Sequence, residues 1–251
     1  IVNFRLEAWS IHEIFLMDAC TYAIAFILIL FIKYNPVAKQ AVHLGSVYSR
    51  LKQGALFLKK HPLLFHFGLG SYAIFAMFLI HIHQLVPVYI SNHLEANSAV
   101  YAGAKMMYAL GAMLSGIGIR WVFKRTNTIK AIIIMMVLSF IVFELLTFSE
   151  SSAVLVFVCF VLGLTNAGTR VLRITYLFNH IPNNLIGRTG SVFQTLNVLI
   201  RFSFITLFSL TFFTKEDNIT WSYFIIGLFI FISILPLLIY YKGLIKMKIN
   251  E

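Results

Sequence analysis

The stretch WSYFIIGLFIFISILPLLIYY, residues 221–241, contains no acidic side chain, no lysine, no arginine and no histidine. The hydrocarbon core of a bilayer is about 30 Å thick, and crossing it takes roughly 20 apolar residues at 1.5 Å rise each. A segment of this length and composition is therefore a membrane-crossing helix, and it sets the criterion for finding others. Six more runs satisfy it: residues 14–32, 63–90, 99–123, 131–148, 153–178 and 191–213. The run 63–90 is long enough to tilt or bend, and Pro87, just after His81-Ile82-His83-Gln84, marks the place where a bend is expected.

Composition agrees with the seven runs. Of 251 residues, 60% are hydrophobic and only 12% charged, and the mean hydropathy is +0.87. An ordinary soluble domain is about 45–50% apolar and about 25% charged. So few ionisable groups cannot cover a water-soluble surface, and so apolar a chain is not intrinsically disordered. The expected fold class is an all-α membrane protein with seven transmembrane helices.

The net charge of +11 raises the question of nucleic acid, which the placement of the charges answers. Between successive runs, one side collects Lys33, Lys39, Arg50, Lys52, Lys59 and Lys60, then Arg120, Lys124, Arg125 and Lys130, then Arg188 in the loop 179–190, then Lys242, Lys246 and Lys248. The other side has only Arg5 and Lys215, with Glu7, Glu13, Glu95, Glu150, Glu216 and Asp217. This alternation is the positive-inside pattern of a polytopic protein, so the basic side, including the C-terminus, is expected to be cytoplasmic and no nucleic-acid partner is implied. Seven spans then place Ile1 on the outer side. A chain that begins on Ile1 without a visible signal segment is expected to be part of a longer protein.

Segment 35–62 joins the first span to the rest. Val47, Leu51, Leu56 (or Ala55) and Leu58 approximate helical spacing among Arg50, Lys52, Lys59 and Lys60. This fits a basic amphipathic helix on the inner headgroups, or a solvated linker carrying a few apolar residues. Runs 131–148 and 221–241 are nearly uniformly bulky and are expected to face lipid. Run 99–123 instead carries two rows of small residues, Gly103, Gly111 and Ser115 beside Ala104, Ala112 and Gly116, which is expected to pack closely inside a bundle. Cys20 and Cys159 both lie in apolar runs and form no disulfide or metal spacing.

Four stretches carry a resemblance. Residues 15–23, FLMDACTYA, are similar to the start of the sixth helix of the major facilitator superfamily, and residues 51–64, LKQGALFLKKHPLL, resemble its run into helix seven. Val86-Pro87-Val88-Tyr89, followed by Tyr101-Ala102-Gly103 and Gly111-Ala112, fits the spacing of that family's next stretch. Ile181-Pro182 through Ile186-Gly187-Arg188-Thr189-Gly190-Ser191-Val192-Phe193 is similar to its turn before helix eleven. Together they resemble the C-terminal portion of a major facilitator transporter, in particular the macrolide-efflux and siderophore-exporter branch. The resemblance implies a last helix of the N-terminal half at 1–34, a cytoplasmic linker at 35–62 and a C-terminal six-helix bundle at 63–251, with the remaining N-terminal half as the bundle's partner. Where the family has a Gly-and-Arg gating motif between helices eight and nine, this chain has only Gly116, Gly118, Arg120 and Arg125.

A charge at bilayer depth costs about 2.5–3.5 kcal/mol on insertion scales, so each one needs a partner, a cavity or an interface. On the family fold, Asp18 and Glu144 fall on peripheral helices, where solvation at the interface or a structural hydrogen bond is expected. Gly190, Gln194, Asn197 and Arg201, spaced 4, 3 and 4, share one helical face. A polar stripe faces protein or a water-filled pathway, so Arg201 either lines a cavity or pairs with another helix. An arginine that deep suits an anionic substrate. Lys105 is a second pathway candidate, or it snorkels to the outer surface; Asn166 is a third. Arg170 and Arg173, three apart, are expected on the same side of their helix as interfacial anchors or gate contacts, with Arg188 and Arg120 as further gate candidates. His81 and His83 diverge by about 200° on a helix, which excludes a metal pair and leaves either one as a pathway histidine.

The function these features imply is a secondary active exporter of small molecules, drug-, macrolide- or siderophore-like, working by alternating access on a proton or other ion gradient. No P-loop GxxxxGK[ST], GxSxG or HExxH occurs, so neither nucleotide-driven transport nor an enzyme is expected, and no cofactor is. The alternatives are a split half-transporter serving as a scaffold for another chain and a membrane-embedded enzyme.

Overall fold

A computed structural model describes residues 11–32, 46–215 and 218–247. The helices are α1 (Ile11–Leu30), α2 (Val47–Lys60), α3 (Pro62–Ile80), α4 (Val86–Val88), α5 (Ser98–Val122), α6 (Thr128–Thr147), α7 (Ser152–His180), α8 (Asn183–Phe208), α9 (Thr211–Thr214), α10 (Ile219–Ile239) and α11 (Tyr241–Lys246), with π-helical turns at His81–Leu85 and Tyr89–His93. Six are long and apolar enough to cross a membrane: Pro62–His93, Ser98–Ile119, Thr128–Thr147, Ser152–His180, Asn183–Phe208 and Ile219–Ile239. A seventh, α1, carries the shorter apolar run Phe15–Leu30. The chain divides into two compact units, Ile1–Leu44 with α1 and Gly45–Glu251 with all the other helices.

Local chemistry sets the ends. Asn97 and Asn127 cap α5 and α6 by accepting from the backbone N–H groups of Ala99 and Ile129, and Ser46 caps α2 through Ser49 N–H. Pro62 cannot continue α2 but suits the first turn of α3, so the chain turns at His61. Pro87 does not break its helix. The two π turns flank it and absorb the mismatch. The Ile82 carbonyl, five residues before Pro87 and so deprived of an N–H partner, faces the Tyr101 hydroxyl at 3.4 Å.

Three expectations are corrected. The sixth span is 183–208 rather than 191–213, and the expected loop 179–190 contracts to the Ile181-Pro182 step. Pro182 caps α8 with its carbonyl accepting from Leu185 and Ile186, so Arg188 lies in the helix, and Gly187 and Gly190 do not interrupt it. The small residues of α5 do not pack as two rows. Ala104, Gly111 and Ser115 are buried while Gly116 has nothing near it, because a 3.6-residue turn makes the seam follow spacings of three and four. Finally, α6 and α10 are not simply lipid-facing. Half of the apolar window of α6 and 39% of that of α10 is buried, and the two helices pack together with Glu144 seated against Gly227.

The tightest seam joins α5 to α7. A Cβ on Gly111 would lie 2.1 Å from the Phe160 carbonyl oxygen, and one on Gly163 would lie 2.2 Å from that of Tyr108. Ser139 of α6 donates to Thr165 of α7 at 2.7 Å, both fully buried. Helix α3 sits among α7, α8 and α10, with Phe67, Ile74, Met77 and Ile80 fully enclosed.

Candidate polar pathway

Helix α7 supplies the polar groups through Thr165-Asn166-Ala167-Gly168-Thr169-Arg170, with Arg173 one turn further. Gly168 lets this face meet α5, where an added Cβ would be 2.8 Å from Ser115 Oγ. Asn166 is buried and donates through Nδ2 to the Tyr108 hydroxyl at 3.0 Å, and the Tyr108 ring stacks on Phe78 with centroids 4.1 Å apart. This contact ties α3, α5 and α7 together through one side chain of each. In a double-mutant cycle of Asn166→Ala with Tyr108→Phe, thermal unfolding in detergent should return a coupling of about 0.6–1.7 kcal/mol, the range of hydrogen bonds between membrane helices. No coupling would mean the pair adds nothing to the seam.

The second polar knot centres on Tyr72. Arg173 is only 3% exposed. Its Nη1 donates to the Ser71 carbonyl at 2.8 Å, and its guanidinium lies 3.7 Å from the Tyr72 ring centroid. Tyr72 stacks in turn on Phe193 of α8 at 5.6 Å, and Asn197 Nδ2 reaches the Tyr72 carbonyl at 3.4 Å. Arg201 follows one turn on, half-buried. The Nε atoms of Arg173 and Arg201 and the Oδ1 of Asn197 are buried without a partner. Among the described residues, neither Arg170, Arg173 nor Arg201 pairs with a carboxylate. Arg173, Asn197 and Arg201 thus keep unused hydrogen-bonding capacity.

The other expected residues fall as follows. Gln194 is exposed on α8. Arg170 is exposed while Arg173 is buried, so the two do not share an environment: the 60° between them straddles the edge of the packed face. Arg188 is half-buried in α8, and the side chain of Arg120 lies outside the described residues. Lys105 is exposed, with Nζ 4.5 Å from the centre of the Tyr101 ring. His83 is exposed; His81 is fully buried. His81 lies edge-on to Phe143 and Tyr223, with its Nε2 3.5 Å from Cys159 Sγ. Among the described residues, no three His, Cys, Asp or Glu side chains group as metal ligands.

Tyr72, Tyr108 and Gln84 are the participants that sequence analysis missed. Gln84 crosses from the π turn to α8, donating to the Ile205 carbonyl at 3.1 Å and to Ser209 Oγ at 3.2 Å. The available signal was general: a tyrosine hydroxyl or an amide inside an apolar run has to find a partner on another helix. The cavity beside Tyr72 and Phe193, about 100 Å³, is well below the roughly 300–1,000 Å³ of small-molecule pockets. Of the polar groups, Arg170 and Gln194 are exposed and Arg201 is half-buried, while Asn166, Arg173 and Asn197 are enclosed.

The family model described as Major Facilitator Superfamily matches residues 4–205. No curated protein matches the chain, and no solved structure does. The match covers most of the chain and spans α1 together with most of the long apolar helices, so this integral, multi-pass membrane protein belongs to the Major Facilitator Superfamily, a family of membrane transporters.

Proposed function

We propose that the protein is a secondary active exporter of anionic small molecules, of the siderophore- or drug-like kind, working by alternating access on a proton gradient. The observation that carries the reading is that Arg201 of α8 has no carboxylate partner among the described residues, and that Asn197 and Arg201, one turn apart, keep unpartnered polar atoms. A guanidinium held in a low-dielectric site recognises a carboxylate or another oxyanion with paired hydrogen bonds. Gln194 and Asn197 would orient the substrate beside Arg201. Export is supported by the resemblance of residues 51–64 and 181–193 to the efflux branch, and proton drive by the lack of a nucleotide-binding motif.

The test is counterflow in proteoliposomes with the full-length protein, comparing a carboxylate-rich siderophore with a neutral macrolide. Arg201→Ala should slow movement of the anion at least about tenfold, the effect of one charged hydrogen bond of roughly 1.5–3 kcal/mol. Arg201→Lys should retain part of it, and net transport driven by an imposed proton gradient, measured separately because counterflow exchange needs none, should stop on adding a protonophore. Equal transport by Arg201→Ala would overturn the site.

A further inference from the structure

Helix α2 is fastened to the bundle. Gly54 lies so close to α8 that an added Cβ would be 2.4 Å from the Arg188 carbonyl oxygen, and Leu58 beside it is 2% exposed. With α2 held this way, Ala55, Leu58 and Lys59, Pro62 and Phe65 of α3, and Val192 of α8 enclose an open groove of about 290 Å³. Its floor is hydrocarbon and its one charged lining group is Lys59. Lys52, Ala55 and Lys59 are spaced three and four apart, so they fall on one face of α2, and all three are exposed. The small Ala55 thus leaves a gap between two lysines. Pro62 begins a helix that crosses the membrane, so Lys59, three residues earlier, stands at the level of the lipid headgroups, with the groove below it facing acyl chains.

We propose that this groove binds one anionic phospholipid of the surrounding bilayer, with an acyl chain along Ala55, Leu58, Phe65 and Val192 and the phosphate held by Lys59 and Lys52. The charge is complementary, because basic residues beside a membrane-spanning segment attract anionic headgroups. The long aliphatic stem of lysine keeps its ammonium at the surface while covering apolar floor. The site is preformed, since α2 already packs on α8, so binding does not have to order the helix first. Its occupancy links the segment leading into α3 to the N-terminal part of α8, the helix that carries Asn197 and Arg201.

The test is native mass spectrometry of the purified full-length protein in detergent, titrated with phosphatidylglycerol or phosphatidylcholine. One phosphatidylglycerol should be retained with about a tenfold preference over phosphatidylcholine. Lys59→Gln should cut the preference severalfold, and Ala55→Trp, which fills the groove from an exposed position, should remove the retained lipid altogether. Melting temperatures of both variants should match the parent, which separates loss of lipid from loss of fold. Equal retention of the two lipids, retention unchanged by Lys59→Gln, or displacement of phosphatidylglycerol by millimolar inorganic phosphate would each overturn the proposal. The first would mean apolar contact alone, and the last a site for a free anion.

Discussion

Gly163→Ala should destabilise the protein by about 3 kcal/mol or more, while the same substitution at Gly116 should leave it as stable or slightly more so. Alanine is favoured over glycine inside a helix by about 1 kcal/mol, so propensity alone predicts a gain at both sites. Contact geometry reverses the sign at one of them. A Cβ on Gly163 would stand 2.2 Å from the Tyr108 carbonyl oxygen and 3.0 Å from Ala112 N, whereas nothing lies within 4 Å of one on Gly116. The obstructing atoms are backbone and cannot swing aside, so α5 and α7 would have to separate along the seam.

Separation would not stay local. Gly111 meets the Phe160–Leu164 backbone reciprocally, so a shift large enough to accommodate one Cβ also opens the other contact. It would loosen the Asn166–Tyr108 hydrogen bond in the same interface. In a membrane, helices gain little from apolar burial against each other, and close backbone packing supplies much of the association. The measurement is thermal unfolding in detergent of the two alanine variants beside the parent. Equal stability would show that the seam is looser than its geometry implies.

The same comparison shows what a sequence conveys and what it does not. The stretch 221–241 announces a span because apolarity and length are properties of the letters, and α10 does run Ile219–Ile239. Which side of it is packed is not written there. Ser222, Tyr223, Ile226, Gly227, Ile230, Ile234 and Leu237 are buried, yet the outward Leu228, Phe231, Ile232 and Leu235 are just as apolar. In a soluble helix the two faces differ in polarity, while in lipid they do not. The start of α8 was hidden for the opposite reason. Glycines and a basic residue at 187–190 imitate a loop, but the Thr189 hydroxyl turns back to the Leu185 and Ile186 carbonyls and the helix continues.

The polar face was partly visible. Spacing put Gln194, Asn197 and Arg201 along one side of α8, because periodicity is a property of sequence, but the same argument set Arg170 beside Arg173 on α7, where one is exposed and the other buried. Their partners were hidden. Asn197 reaches the backbone carbonyl of Tyr72, and Arg173 that of Ser71. A carbonyl is present at every residue, so no residue type signals which one is used. His81 and Cys159 are likewise brought together only by the packing of α3 against α7.

Arg173→Met should raise the thermal stability of the protein and impair its transport together. Arg173 has five N–H donors to satisfy, and the structure gives it the Ser71 carbonyl and the Tyr72 ring while its Nε stays buried and unpartnered. A cation held over an aromatic ring away from water gains about 2 kcal/mol. Against that stands a desolvation penalty of several kcal/mol that, among the described residues, no carboxylate offsets. Methionine fills a similar length of space and carries no charge, and replacing buried charged groups with well-packed apolar ones is commonly neutral or stabilising by about 1–4 kcal/mol. A group that costs stability where it rests and retains unused donors is suited to making its full set of contacts in another arrangement of the helices. That is the behaviour expected of a gate residue at the junction of α3, α7 and α8. The measurement pairs melting temperature in detergent with initial transport rate per folded molecule in proteoliposomes. A higher melting temperature with at least about a tenfold slower rate supports the gate. If the variant melts lower and its folded fraction transports at the parental rate, Arg173 is a structural strut between α7 and α3.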